Sequence, residues 1–256
     1  MRRSKLPVKQ KRFWPFVISI SIFCIVIFIV YLFYKLSSLD KFVYVNRVES
    51  GDAEIILVDS KSDDITKYVV SGEAELESAH GYGKYKLKSL WVLSEKDENR
   101  GGLVADTLIT NYFIPVYLWK DGVNTNMSFI QKIKVKLVST NNNINQEKID
   151  DMNLSKSIYI NFSDDYIANN LDKIEVQDQT GDNATIEKAS RILEVMGGKI
   201  TTNSKGYDKD LDCEISSEDT LILQKVNLIL KCSIVDHKNK SVGLTIRLGA
   251  KFAERF

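Results

Sequence analysis

Hydrophobic residues form one long uninterrupted stretch near the start of the chain and shorter, patterned segments afterwards. The long stretch, FWPFVISISIFCIVIFIVYLFY, carries no charge between Phe13 and Tyr34. A helix of about 20 apolar residues crosses the hydrocarbon core of a bilayer, so the pattern predicts a transmembrane helix over 13–35. A cleaved signal peptide fits less well, because its apolar region spans only about 7–15 residues and ends at small residues.

The charges around this stretch predict its orientation. Six basic residues and no acidic residue lie in the tail 1–12. Because basic segments stay on the cytoplasmic side, we expect a single-pass cell-membrane protein with a cytoplasmic N-terminus and the rest extracytoplasmic. The membrane is therefore a predicted partner, and residues 13–35 are the segment that contacts it. Over the whole chain, 35 basic residues nearly balance 34 acidic ones, so the composition indicates no nucleic-acid partner.

The first exported region, 42–170, begins with patterns of both strand and helix. Ala53–Asp59 and Ile65–Ser71 are rich in β-branched residues and flank a turn, which predicts an antiparallel hairpin. LKSLWVLSEKD and GLVADTLITNYF carry apolar residues at helical spacing, and a glycine pair separates the two expected helices. IPVYLW is expected to be a further strand, and HGYGKY a loop.

The pattern weakens between Asp121 and Asn170. The alternation of lysine and apolar residues in KIKVKLV predicts an amphipathic strand, and SIYINF predicts another. The asparagine-rich STNNNINQEKIDD indicates a long surface loop or a domain boundary. The spatial order of these elements is left open.

The C-terminal region, 173–256, has the clearest periodicity. KIEVQD predicts a strand, GDNA a turn, and the next segment a helix with Ile186, Ala189 and Leu193 on one face. KITTNS is the expected returning strand, parallel to the first. The same order repeats with DCEIS, a second helix and CSIV, and VGLTIRLG closes the unit. The whole chain thus predicts an α/β (α+β) fold with one N-terminal transmembrane helix and a βαβ-βαβ-type C-terminal domain.

Few residues in the exported part indicate chemistry. The turn after KIEVQD has one glycine, Gly181, between two aspartates, whereas phosphate-binding loops use several glycines whose amides face the phosphate. His80 is expected to be an exposed loop residue. Cys213 and Cys232 are the two cysteines outside the apolar stretch. They could form a disulfide, whose loop of about twenty residues would stabilise the fold by about 3 kcal/mol, or remain free thiols.

Two segments resemble a family of bacterial cell-envelope proteins. IEVQDQTGDNATIEKASRILEVMGGKI and the closing LTIRLGAKFAERF are similar to the C-terminal domain of the LytR-CpsA-Psr (LCP) proteins, with QDQTG where LNGTG is typical. More distantly, the region from Ala53 to Asp121 resembles the start of the LCP catalytic domain. An anchor followed by these two regions also resembles the layout of the family.

The resemblance implies a role in glycopolymer transfer at the cell wall. LCP enzymes move glycopolymers from a polyprenyl-pyrophosphate carrier to the wall, and they use arginines to bind the pyrophosphate and acidic residues to hold a metal. This chain has Gly72 and Glu73 where the family has its arginine-aspartate pair. We therefore expect a non-catalytic binding or scaffold factor that needs no cofactor and contacts glycopolymer or envelope proteins.

Two alternatives stay open at this stage. One is a divergent LCP phosphotransferase that uses Glu73, Arg100 and Asp106 with Mg²⁺. Its polyprenyl carrier would require an apolar cleft beside Gly72. The other alternative is a membrane-tethered adaptor that binds another protein.

Overall fold

Eight α-helices and three β-sheets make up the part of the chain that the computed structural model describes. The described residues are 14–37, 41–59, 62, 64–97, 100–141, 144–148, 161–171, 173–235 and 243–256. This mixed architecture confirms the predicted α/β class.

The N-terminal helix, α1, spans Trp14–Ser37. Its side chains at positions 17–31 are all exposed. Judged over the described residues, no helix of the chain is both long enough and apolar enough to cross a membrane. The transmembrane helix over 13–35 stays a prediction.

The N-terminal half, residues 41–148, is built on a six-stranded sheet. In chain order its elements are β1 Lys41–Arg47, β2 Ala53–Asp59, β3 Asp64–Val70, β4 Glu75–Ser78, β5 Gly83–Lys86, α2 Leu87–Ser94, α3 Gly102–Tyr112, β6 Leu118–Asp121, β7 Asn124–Thr125, α4 Phe129–Asn141 and β8 Ile144–Lys148. The strand order of this first sheet is β7-β6-β1-β2-β3-β8, while β4 and β5 form a separate hairpin around the 3-10 turn Ala79–Gly81. β2 and β3 pair antiparallel, which confirms the predicted hairpin.

Helices cover both faces of the first sheet, so its strands are apolar on both sides. Val43 and Ile55 face α2 and α3 in the larger of two clusters of buried side chains. Phe42 and Ile56 face the other way and pack with Val138 of α4. The neighbouring side chains of a strand alternate between the two faces, which explains why β1 and β2 are continuous apolar runs.

The C-terminal half, residues 161–256, is built on a five-stranded sheet. Its elements are α5 Asp165–Asn170, β9 Ile174–Gln179, α6 Asn183–Val195, β10 Ile200–Lys205, β11 Cys213–Ser217, α7 Thr220–Leu230, β12 Ser233–Ile234, β13 Leu244–Gly249 and α8 Ala250–Arg255. The strand order is β10-β9-β13-β11-β12. β9 pairs parallel with β10, and β11 with β12, which confirms the two predicted βαβ units.

One continuous cluster of buried side chains joins the two halves. It includes Val43 and Tyr68 from the first sheet and Leu248 from the second sheet. Phe162, from the start of the C-terminal half, belongs to the same cluster. The rings of Tyr68 and Phe162 lie 5.3 Å apart, and the Asn161 amide donates to the Tyr68 hydroxyl at 2.6 Å. The two halves therefore share a core.

The strand predicted for KIKVKLV is wrong, because this segment lies in α4. Lysine alternates there with Ile133, Val135 and Leu137, which imitates the period of a strand. Burial instead follows helical spacing, since Val135 and Val138, three residues apart, pack against the first sheet.

Four further element predictions need correction or fall outside the described residues. STNNNINQEKIDD contains β8, a polar edge strand whose stability comes from backbone hydrogen bonds to β3. In IPVYLW the strand begins only at Leu118, since Pro115 has no N–H to donate. The loop predicted for HGYGKY includes the start of β5 at Gly83. SIYINF lies outside the described residues, except for Asn161 and Phe162, which are helical.

Candidate functional site

Gly72 stands where the resembled family has an arginine, and the surrounding backbone leaves no room for a side chain. Its N–H donates to the Asp52 carboxylate at 2.6 Å, and its carbonyl accepts from the Lys88 N–H at 3.0 Å. A Cβ atom at position 72 would lie 2.9 Å from the carbonyl carbon and oxygen of Gly51. An arginine would therefore require the Gly51 turn to move.

Glu73 is exposed, and each of its two carboxylate oxygens accepts a hydrogen bond from a lysine. Lys86 Nζ lies 2.9 Å from one oxygen, and Lys88 Nζ donates to the other. Hydrogen bonds from Lys86 and Lys88 lower the pKa of Glu73 to about 2. The carboxylate is thus ionised at neutral pH, and two ammonium groups compensate its charge.

The residues around Glu73 do not fit a magnesium ion. Mg²⁺ needs oxygen ligands in an open octahedral arrangement, whereas two ammonium groups already contact this carboxylate and would repel a cation. Over the described part of the chain, no group of three or more His, Cys, Asp or Glu side chains could hold a metal ion.

Arg100 lies in the turn before α3, at a backbone angle that non-glycine residues rarely adopt. Its φ is 43°, and its N–H donates to the Asp97 carbonyl at 3.0 Å. The next residue, Gly101, touches Trp119 so closely that a Cβ there would lie 2.6 Å from the indole ring. Arg100 itself is exposed. The contact between Gly101 and Trp119 thus fixes the backbone that presents this arginine.

Asp106 is a largely buried carboxylate on α3 that connects the two halves of the molecule. It contacts His80 Nε2 at 3.1 Å and accepts from Lys231 Nζ at 2.7 and 2.6 Å. Burial raises the pKa of Asp106, but the His80 hydrogen bond and the charge of Lys231 outweigh burial, so the pKa lies below its ordinary value. Asp97 approaches the other His80 nitrogen at 3.9 Å.

Both partners of Asp106 have a left-handed backbone. His80 has φ 64° and Lys231 has φ 54°. Lys231 ends α7, a position where this conformation is common, whereas His80 lies inside the short 3-10 turn. For an L-residue this region costs about 1–2 kcal/mol, so the contact with Asp106 must offset strain at His80.

The structure places the two acidic candidates, Glu73 and Asp106, in different clusters of ion pairs. Glu73 pairs with Lys86 and Lys88, while Asp106 pairs with His80 and Lys231, so the two carboxylates belong to different clusters. The expectation that His80 is an exposed loop residue is wrong, because its ring is half-buried beside Asp106. An acidic residue within an apolar helix such as α3 indicates a buried partner, but the sequence gives no sign that Lys231 supplies it.

An apolar cleft lies between the two halves, along α7. It has a volume of about 190 Å³ and is lined mainly by apolar and aromatic side chains. These are Phe42, Val43, Leu57, Pro115, Tyr117, Phe162, Met196, Leu221, Leu228 and Ile229. Drug-sized ligands fill about 300–1,000 Å³, so this cleft holds a small apolar group or the end of a chain.

Charged groups surround the mouth of this cleft. Lys225 pairs with Asp164, and Lys41 Nζ donates to the Ser163 carbonyl at 3.1 Å. Burial, together with the nearby Asp164 charge, raises the pKa of Tyr117 to about 12, so this phenol stays neutral. Gly72 is not among the residues that line this cleft. This cleft is therefore not the one that a polyprenyl carrier would require beside Gly72.

A disulfide joins Cys213 at the start of β11 to Cys232 just after α7. Their Cα atoms are 4.7 Å apart, and both residues are buried. Because Cys232 follows Lys231 directly, the bond holds one partner of Asp106 against the second sheet.

The turn after β9 is satisfied by its own side chains. Asp182 accepts from the N–H groups of Ala184 and Thr185 and so caps α6. Gly181 has φ 74°, and Tyr207 packs over it so that a Cβ would lie 2.9 Å from the ring. The N-terminus of α6 is therefore capped by a carboxylate, as expected for a scaffold turn.

Comparisons with known proteins add no family to this picture. The chain matches no protein-family model, no curated protein and no solved structure. The resemblance to the LCP proteins therefore stays a prediction that rests on the residues quoted for it.

Proposed function

We propose that this chain is a membrane-anchored extracytoplasmic protein of the cell envelope that binds or organises partners in glycopolymer assembly without catalysing transfer. One observation carries the non-catalytic part: the Gly51 backbone occupies the space that a side chain at Gly72 would need. A single donor that stabilises a developing charge contributes about 3–4 kcal/mol to catalysis, so the missing arginine is a large loss.

The separation of the acidic candidates also supports a binding role. A phosphotransferase of the LCP kind needs its carboxylate and its cations around one pyrophosphate. Here the Glu73 carboxylate pairs with Lys86 and Lys88. The Asp106 carboxylate pairs with Lys231 and His80. Each carboxylate is already paired with basic side chains of the protein.

The proposed anchor is the apolar run within α1. The run is uncharged from Phe13 to Tyr34 and follows a basic tail, and its side chains at 17–31 are exposed. The disulfide between Cys213 and Cys232 fits an oxidising, extracytoplasmic compartment.

The proposed binding site is the cleft along α7. Leu221 and Leu228 at its edge are exposed apolar side chains, and the ion pair of Lys225 with Asp164 borders them. Exposed apolar groups around a concave site, with a few polar groups at its edge, are typical of binding sites.

An activity assay tests the non-catalytic part of this proposal. The full chain in detergent micelles is incubated with a polyprenyl-pyrophosphate-linked glycan and Mg²⁺, and glycan release is measured. We expect the same release as in a protein-free control. Release that is lost in Arg100→Ala would establish the phosphotransferase alternative instead.

A crosslinking experiment tests the binding site. A photoreactive residue replaces Leu228 in the full chain, and the matched control carries it at Val92, a similarly exposed position on α2. We expect glycan-containing adducts from position 228 and none from position 92. Adducts that contain only protein would favour the adaptor alternative, and equal labelling at both positions would contradict a site in the cleft.

Fractionation tests the anchor. The full chain is expected to stay with membranes after carbonate extraction, and a C-terminal phosphatase reporter, active only outside the cytoplasm, is expected to be active. A carbonate-soluble chain or an inactive reporter would contradict this topology.

A further inference from the structure

Helix α4 carries two apolar stripes, and only one of them faces the core. Val135 and Val138 pack against the first sheet. Phe129 and Leu137, with Ile133 between them, follow at four-residue spacing on another side of the helix. The exposed fractions of Phe129 and Leu137 are 68% and 54%. The core does not explain this second stripe.

The turn between β6 and β7 adds a further exposed apolar group beside α4. Val123 is 95% exposed and lines one groove together with Lys132 of α4. Exposed apolar groups on neighbouring elements mark interaction surfaces. We call Val123, Phe129, Ile133 and Leu137 the apolar patch.

Basic side chains flank the apolar patch. Between Leu118 and Asn141 the chain has four lysines and one acidic residue, Asp121, which pairs with Arg47 at 3.3 Å. Lys120 and Lys132 line the same groove as Val123. A helix with phenylalanine and leucine on one face and lysines beside it is typical of segments that lie at a membrane surface.

The position of α4 favours a lipid surface over a protein partner. α1, the proposed anchor, contacts α4. If α1 crosses the bilayer and the folded part stays outside it, a helix that contacts α1 would lie near the headgroups. The excess of lysine matches anionic lipids, which attract basic segments near a membrane.

We propose that the apolar patch and its lysines dock onto anionic phospholipid headgroups of the membrane that α1 enters. This inference rests on the anchorage in the proposed function and adds a second attachment. Two attachments fix the orientation of the folded part, whereas a single helix lets it rotate.

Lipid quenching of a fluorophore tests the docking. In a Cys24→Ser background of the full chain, single cysteines at Val123→Cys and Leu137→Cys carry the label, with Val92→Cys as the matched control. The proteins are reconstituted in phosphatidylcholine vesicles with or without phosphatidylglycerol, and the lipids bear a headgroup-level spin label. We expect quenching at positions 123 and 137 with phosphatidylglycerol, and none at position 92.

Lysine variants test the charge. Lys120→Gln/Lys132→Gln should lower the docked-to-undocked ratio by roughly 30-fold, about 5-fold for each lysine near an anionic surface. The control Lys205→Gln/Lys209→Gln removes the same charge from the exposed surface of the C-terminal half and should leave the quenching unchanged.

Each other outcome has a definite meaning. If the chain floats with the vesicles while positions 123 and 137 are quenched no more than position 92, docking is wrong and the anchor stands. If the chain does not float with the vesicles, the anchor and the docking are both wrong. Quenching that survives the Lys120→Gln/Lys132→Gln change would overturn headgroup recognition.

Discussion

Glu73 and Asp106 are both carboxylates held between two basic side chains, but they lie in very different surroundings. The Glu73 side chain is 59% exposed, and its lysine partners follow it within 15 residues along the chain. The Asp106 side chain is 15% exposed, and its partner Lys231 is 125 residues away. One cluster is local and solvated, while the other is buried and joins the two halves.

The difference shows that the same charge arrangement serves different purposes in water and in the interior. Water screens the exposed pairs, and a lysine side chain loses conformational entropy when it is held in one. Exposed ion pairs therefore contribute little to stability. A largely buried carboxylate that loses its partner is hydrated less well than an exposed one, so breaking such a pair is more costly. The Asp106 cluster is therefore expected to stabilise the contact between the halves, and the Glu73 cluster only to order a hairpin.

The largest expected effect comes from the disulfide beside the Asp106 cluster. Cys213→Ala/Cys232→Ala should lower the free energy of unfolding by about 3 kcal/mol, since the bond closes a loop of about twenty residues. Urea unfolding of the full chain in detergent, followed by tryptophan fluorescence, measures this change. Cys24→Ser is the control for loss of a cysteine, and equal midpoints for the double variant and the native chain would contradict the prediction.

Asp106→Asn should follow, with a loss of about 2 kcal/mol, because hydrogen bonds to a charged group contribute about 1.5–3 kcal/mol. Lys231 is partly exposed and can be rehydrated, so a larger loss is not expected. A double-mutant cycle with Lys231→Gln isolates the pair from other effects. Additive losses in this cycle would mean that the pair does not couple the halves.

Gly72→Ala should lower the free energy of unfolding by on the order of 1 kcal/mol, because its Cβ would press on the Gly51 backbone. Gly206→Ala is the matched control, since a Cβ there meets only ordinary contacts at 3.7 Å or more. The measurement is the urea midpoint. If both variants unfold at the same midpoint, the space at position 72 is not closed and an arginine could stand there.

The pH dependence of the Asp106→Asn effect sharpens the comparison. The folded pKa of Asp106 lies below its ordinary value of 3.8, so its stabilisation is fully present above that value and is lost as pH falls through the lowered folded pKa. The difference in stability between the native chain and Asp106→Asn should therefore be constant near neutral pH and shrink in acid. A difference that grows in acid would contradict the sign of the shift.

Glu73→Gln should have the smallest effect, with no measurable change in the unfolding midpoint at neutral pH. The pKa of Glu73 is about 2, yet the side chain is exposed and water screens its pairs with Lys86 and Lys88. Thermal unfolding at low and high salt tests this prediction. A large loss that disappears in salt would mean that this exposed cluster is more than a local contact.

The sequence predicts elements well where burial and local spacing agree. The hairpin of β2 and β3 and the two βαβ units follow from patterns within single segments. The sequence wrongly predicts a strand for part of α4 because its lysines alternate, while the burial that distinguishes helix from strand depends on the first sheet. β8 has no apolar pattern at all, since an edge strand is held by its backbone.

The candidate site is harder to predict because its contacts are distant along the chain. The charge of Asp106 makes it a candidate, but its pairing with Lys231 depends on how the two halves pack. The closed space at Gly72 likewise depends on the neighbouring turn at Gly51. Both features depend on tertiary packing, which the spacing of residues within one segment does not predict.

The shared core has a consequence for how the protein is made. The core cluster that contains Val43 and Tyr68 also contains residues as late as Leu248. A chain that emerges N-terminus first therefore leaves this cluster incomplete until almost all of the chain has been delivered, and contacts between such distant residues form slowly. We expect a holdase to be needed during export, and truncated chains to aggregate rather than fold in part.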